Sequence, residues 1–131
     1  WGRSGGTAAN NECSQNGLQG IAVHEFASPT LENNACKNNQ DSGIIYWGSA
    51  AGTARNNECS GNKINGISVH DQSQPVLIQN SCLNNTRNGI SYYEETAGEA
   101  RENICSGNSQ NAISLQGQAA PAQVDNRCTD P

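Results

Sequence analysis

Methionine is absent, phenylalanine occurs once, and aromatic residues make up 5% of the chain. In an ordinary sequence such polarity would suggest disorder, since only 34% of the 131 residues are apolar and mean hydropathy is −0.71. No apolar run approaches the ~20 residues that cross a bilayer as a helix, so membrane insertion is not expected. Basic residues are also scarce: 7 Lys and Arg stand against 12 Asp and Glu, for a formal charge of −5. That balance lacks the basic footprint needed to bind nucleic acid or an anionic membrane surface. No signal-peptide pattern is present. The Gly-Gly-x-Gly-x-Asp calcium repeat and a flat threonine array of the ice-binding kind are missing as well.

What is present is periodic. Cys13, Cys36, Cys59, Cys82, Cys105 and Cys128 are each 23 residues apart. Asn11, Asn34, Asn57, Asn80, Asn103 and Asn126 keep the same step, as do Asn16, Asn39, Asn62, Asn85 and Asn108. Gly20, Gly43, Gly66 and Gly89 form a further column that fails at Ala112, followed by Ile21, Ile44, Ile67, Ile90 and Ile113. No column slips, so insertions are absent. A constant period near twenty residues is the signature of a solenoid, in which coils too polar to fold alone stack into one continuous core.

Between the Gly and Pro corners there is no stretch long enough for a helix of 3.6-residue periodicity. Gly20-Ile21-Ala22-Val23-His24 and Gly66-Ile67-Ser68-Val69-His70 instead alternate like short strands with one buried face. Three short strands and three corners per coil, stacked at about 4.8 Å, make a parallel β-helix. Pro29, Pro75 and Pro121 alternate with Gly6, Gly52 and Gly98, which doubles the unit to 46 residues. The doubling has a packing reason. Coils with Tyr46 or Tyr92 on the inner strand position carry Ala54 or Ala100 opposite, whereas Val23 and Val69 face Leu31 and Leu77, so core volume stays constant.

The coil Gly66-Ile67-Ser68-Val69-His70, with Pro75 and Asn80-Ser81-Cys82 after it, resembles the right-handed parallel β-helix repeats of the pectate-lyase-like superfamily. In particular it looks like the carbohydrate-binding and sugar-hydrolase type repeats found in multidomain bacterial proteins and in some eukaryotic F-box proteins. The resemblance spans the whole chain. It implies an all-β fold with one domain, 1–131: a single-stranded right-handed parallel β-helix of about six 23-residue coils alternating as a double repeat. The chain is expected to be a segment of a larger protein, with a secreted or cell-surface setting the more compatible one. Such repeats serve lyases, adhesins and protein-binding scaffolds alike, so the resemblance implies fold rather than activity.

Stacked cysteines point the same way at about 4.8 Å, too far and too parallel for a disulfide, and they diverge from any shared metal centre. Free thiols filling a core corner are expected, with no metal and no cofactor. The Asn columns are expected to supply left-handed corners and coil-to-coil amide bonds. Asn84-Asn85-Thr86 matches a glycosylation sequon. Arg55 falls beside Glu32 in its column, which predicts a surface ion pair.

If Tyr46 and Tyr92 point inward, the next residue points out, giving an exposed column of Trp1, His24, Trp47, His70, Tyr93 and Gln116. Trp1, Trp47 and Tyr93 would recur at roughly 9.6 Å as flat faces suited to sugar rings or to a protein partner. The adjacent column contains Glu25, Asp71 and Glu94, and Asp71 with Glu94 has the roughly 5 Å spacing of a retaining glycosidase pair. Three functional readings follow. The first is a non-catalytic module binding a glycan or partner protein through Trp1, His24, Trp47, His70 and Tyr93. The second is a structural spacer that stacks end to end through unpaired strand edges. The third is a polysaccharide lyase or hydrolase using Asp71 and Glu94.

Overall fold

A computed structural model describes residues 3–131, and among these residues there are sixteen strands and no helix. Every strand has three residues except the last, Arg127–Cys128. The first sheet stacks Thr7–Ala9, Thr30–Glu32, Thr53–Arg55, Val76–Ile78, Glu99–Arg101 and Ala122–Val124. The second stacks Ala35–Lys37, Glu58–Ser60, Ser81–Leu83, Ile104–Ser106 and Arg127–Cys128. The third stacks Ile21–Val23, Ile44–Tyr46, Ile67–Val69, Ile90–Tyr92 and Ile113–Leu115. All pairs are parallel and in register, each residue facing its counterpart one coil away, as in Ile44↔Ile67 and Cys59↔Cys82. The chain is thus a right-handed parallel β-helix, with six strands in one sheet and five in each of the others.

The asparagines hold the coils together. Asn80 donates its backbone N–H and its Nδ2 to Asn103 Oδ1 at 2.9 and 3.0 Å, and a second Nδ2 hydrogen to the Ala54 carbonyl at 2.9 Å. Its own Oδ1 accepts the N–H and Nδ2 of Asn57 at 3.0 and 2.9 Å. Two donors and two lone pairs are all used, the full capacity of an amide, so burial leaves nothing unsatisfied. The column at Asn16, Asn39, Asn62, Asn85 and Asn108 repeats the scheme, Asn62 bonding to Asn85 Oδ1 and to the Cys36 carbonyl. These ladder residues are not the left-handed ones. The left-handed corner is the residue before each: Asn33 (φ 54°), Asn56 (φ 55°), Gln79 (φ 53°) and Glu102 (φ 54°) before one ladder, Asn38 (φ 56°) and Asn84 (φ 55°) before the other. The side chain that bends the chain and the side chain that bonds the coils are separate, because a ladder amide must point inward while the corner side chain points to solvent.

Inside, Tyr46, Tyr92, Val69, Leu77, Ala54 and Ala100 are wholly buried, with the large-opposite-small alternation the sequence pattern requires. Leu115 and Gln123 are exposed. All six cysteines are free thiols, and Cys36, Cys59, Cys82 and Cys105 are fully buried. Close approach of the next coil requires the Gly column: a Cβ on Gly66 would lie 2.6 Å from the Gly89 carbonyl and 2.8 Å from Cys82 Cβ. The Gly and Pro alternation is equally steric. Gly52 has φ 92°, and a Cβ there would collide with the Pro29 carbonyl of the preceding coil. On the surface, Arg55 pairs with Glu32 at 3.1 Å and Lys37 with Glu58 at 2.7 Å.

Removing one ladder amide strands several buried partners at once. Asn80→Ala is expected to lower stability by about 3 kcal/mol or more, read from the denaturant midpoint, since each orphaned buried group costs roughly 1–3 kcal/mol. Tyr46→Phe should act oppositely, because the Tyr46 hydroxyl is buried with no hydrogen-bond partner. Its removal is expected to raise stability by up to about 1 kcal/mol; a loss of that size would reveal a hidden partner.

Candidate functional site

The outward column arises from strand alternation followed by a corner. In the third sheet Ile44 and Tyr46 point inward, so the residue after each strand emerges on the outer face: His24, Trp47, His70, Tyr93 and Gln116. Backbone bonds fix that order, with Trp47 N–H donating to Val23 O at 2.9 Å, His70 to Tyr46 O at 3.0 Å and Tyr93 to Val69 O at 2.9 Å. The rings then pack on one another. His24 meets Trp47 edge-on at 4.8 Å and 76°, Trp47 meets His70 edge-on at 6.3 Å and 77°, and His70 stacks on Tyr93 at 4.4 Å and 8°. Trp47 stands 36% exposed, whereas His70 and Tyr93 are half-buried. The rings form a continuous packed row rather than a flat shelf of evenly exposed faces. Trp1 lies outside the described residues.

Tyr93 is tucked in for a reason that the column reading missed. Its hydroxyl accepts a bond from Asn65 Nδ2 at 3.1 Å, across the outer face of the sheet. Asn65 belongs to a third ladder, with Asn88 and Asn111, in which Asn88 donates its N–H and Nδ2 to Asn65 Oδ1 at 3.0 and 3.1 Å and Asn111 does the same to Asn88. This ladder runs opposite to the inner two: its donors lie on the later coil and its acceptors on the earlier one. Asn65 and Asn88 also bond Ser68 Oγ and Ser91 Oγ at 2.9 and 3.0 Å, and Ser68 meets Ser42 Oγ at 2.8 Å. Asp41 Oδ1 accepts the Ser42 N–H at 2.6 Å and closes the network. The outer face therefore has a floor of buried serines between an amide ladder and the ring row. The 23-residue recurrence of Asn65, Asn88 and Asn111 was the available signal.

The acidic column is a backbone corner. Glu25, Asp71 and Glu94 have φ of 58°, 60° and 54°, and they share the column with Gly48 and Gly117 at 75° and 69°. Asp71 Oδ2 accepts the Gly48 N–H at 2.8 Å, and Glu94 Oε2 accepts the Asp71 N–H at 3.1 Å. Asp71 and Glu94 do lie on adjacent coils, exposed to solvent and each tied to the backbone of the coil before. His70 Nδ1 stands 3.8 Å from Glu94 Oε2. Burial holds the His70 imidazole below its usual range, against the opposing pull of Glu94, Asp71 and Asp41.

Two open clefts lie along the stack. One of about 680 Å³ is lined by Gln79, Glu102, Ile104, Asp125, Asn126 and Arg127, beside the corner between the first two sheets. Another of about 670 Å³ lies over the first described coil, among Ala8, Ile21, Val23, His24 and Leu31. Among the described residues no group of three or more His, Cys, Asp or Glu side chains is placed to hold a metal ion.

Residues 2–128 match the family model described as right handed beta helix region. The crystal structure of the periplasmic alginate epimerase AlgG is similar in fold, with a TM-score of 0.79 at 21% identity over 83% of this chain. The match spans 26% of that protein's chain, so the likeness concerns the coil stack and not the whole epimerase. No curated protein matches the sequence.

The half-buried imidazole sets a pH dependence. An unfolded chain takes up a proton near the ordinary histidine value of 6.5, whereas folded His70 resists it, so stability is lost as pH falls through that value toward the lower folded one. The midpoint of thermal unfolding is expected to drop between pH 7.5 and 5.5, and His70→Gln should flatten that slope. An unchanged slope in the variant would assign the dependence to other groups.

Proposed function

The chain belongs to the right-handed β-helix family, and from that premise we propose that it is a non-catalytic recognition module that holds a glycan against its His24, Trp47, His70 and Tyr93 face. The single observation that carries the reading is the ring row, whose members are packed edge and face coil after coil with Trp47 left open to solvent. Rings held by their neighbours lose little freedom on binding, and an indole face stacked on a sugar ring buries apolar C–H surface while its edges stay wet. Beside the rings stand the solvent-exposed carboxylates of Asp71 and Glu94, acceptors of the kind that sugar hydroxyls need. The fold likeness to a protein titled as an alginate epimerase is consistent with a carbohydrate-related role.

Recognition is favoured over catalysis by the state of the two carboxylates. A retaining pair needs one acid kept protonated in a water-poor pocket. Asp71 and Glu94 are instead solvent-exposed corner residues that accept backbone N–H groups, with no enclosing pocket around them.

Trp47→Ala is expected to weaken binding of a soluble polysaccharide about tenfold or more by isothermal titration, the usual cost of truncating a central aromatic anchor. The same substitution should leave the fold intact, because Trp47 lies outside the core. Binding that survives it within about twofold would remove the ring row from the site.

A further inference from the structure

Resting on the recognition reading above, we infer that this face selects an uncharged, hydroxyl-rich polysaccharide and rejects polyuronates. The layout of charge around the rings carries the inference. Glu25, Asp71 and Glu94 occupy the corner directly after the ring row, and Glu95 follows in the chain. Asp71 and Glu94 are each held beside the face by one oxygen, which accepts a backbone N–H of the preceding coil at 2.8 and 3.1 Å. Asp71 Oδ1 and Glu94 Oε1 have no hydrogen-bond partner among the described residues and remain available as acceptors. Carboxylates carried on adjacent coils, whose backbones stack about 4.8 Å apart, suit the hydroxyls of a neutral sugar. Against a uronate carboxylate they act as fixed like charges, well within the ~10 Å screening length of dilute salt.

Five of the seven cations lie away from this face. Lys37, Arg55 and Arg101 sit on strands of the other two sheets, ion-paired to Glu58, Glu32 and Glu99 at 2.7, 3.1 and 3.2 Å. Arg127 is on the second sheet and Arg3 precedes the first strand. Lys63 and Arg87 lie on the connection entering the third sheet, at the edge opposite Asp71 and Glu94. A face built for a polyuronate needs cations beside the rings to neutralise a regular series of carboxylates. This one has carboxylates there, so the substrate class named for AlgG is not the one its charge fits.

The test compares an uncharged glucomannan with alginate by isothermal titration at low and high salt, on the intact chain and on the Asp71→Asn/Glu94→Gln double variant. Asn tolerates the left-handed corner and both replacements keep an acceptor oxygen, so the variant retains its fold. The expected result is glucomannan binding with alginate on the order of tenfold weaker at low salt, a gap that narrows as salt screens it. The double variant should shift the alginate-to-glucomannan affinity ratio several-fold toward alginate. Alginate binding as tight as glucomannan, and lost in Trp47→Ala, would overturn the selectivity while leaving the recognition reading standing. An affinity ratio unmoved in the double variant would also overturn it. Binding of neither polymer would overturn both.

Discussion

Each coil is tied to the next by hydrogen bonds between residues 23 positions apart, and the rest of the molecule is conditional on that register. A chain with a third of its residues apolar cannot rely on hydrophobic burial in the ordinary way. Stacking removes the difficulty, because every coil lends the next a dry inner surface and a set of matched polar partners. The buried amides of Asn57, Asn80 and Asn103 would each be costly alone, but in register they satisfy one another completely. Spacing, rather than residue size, is what the fold conserves along its length. The Gly column beside the cysteines and the Gly that follows each Pro one coil later both reflect it, since a Cβ on Gly66 or Gly52 would run into the backbone of the neighbouring coil.

The register was legible in the sequence because it is written in whole columns. Inner columns of Cys, Asn, Gly and Ile state which face is buried, and the Tyr–Ala and Val–Leu alternation states which side chains meet. Local backbone geometry was harder to read. Gln79 and Glu102 adopt left-handed conformations that nothing in their residue type signals; the Asn10, Asn33, Asn56 and Asp125 that share their column hint at it. The acidic column carried a clearer hint, since Gly48 and Gly117 alternate there with Glu25, Asp71 and Glu94, the mark of a positive-φ corner. Side-chain torsions leave no trace in spacing at all. The angle between Trp47 and His70, and the reach of Tyr93 to an amide 28 residues earlier, depend on contacts across coils that periodicity does not encode.

The outer face of the third sheet illustrates how one constraint builds a site. The same step that stacks the core also delivers one ring per coil to the surface, beside an amide ladder on one edge and a carboxylate corner on the other. The polar network of Asp41, Ser42, Ser68 and Asn65 anchors Tyr93, and Tyr93 in turn supports His70. Rigidity is inherited from the stack, so the face has no need of long loops to position its groups. What it presents is a row of rings with a carboxylate corner alongside, and the occupant proposed for it is an extended polymer lying along the solenoid axis.

The central claim is that register places the binding surface on this face. Mapping backbone and side-chain chemical shifts during titration with a soluble neutral oligosaccharide tests it most directly. The account predicts perturbations clustered at His24, Trp47, His70, Tyr93 and the adjoining Asp71 and Glu94, with the outer faces of the first two sheets silent. Perturbations concentrated instead along the cleft of Gln79, Glu102 and Asp125, or spread evenly over all three sheets, would contradict it.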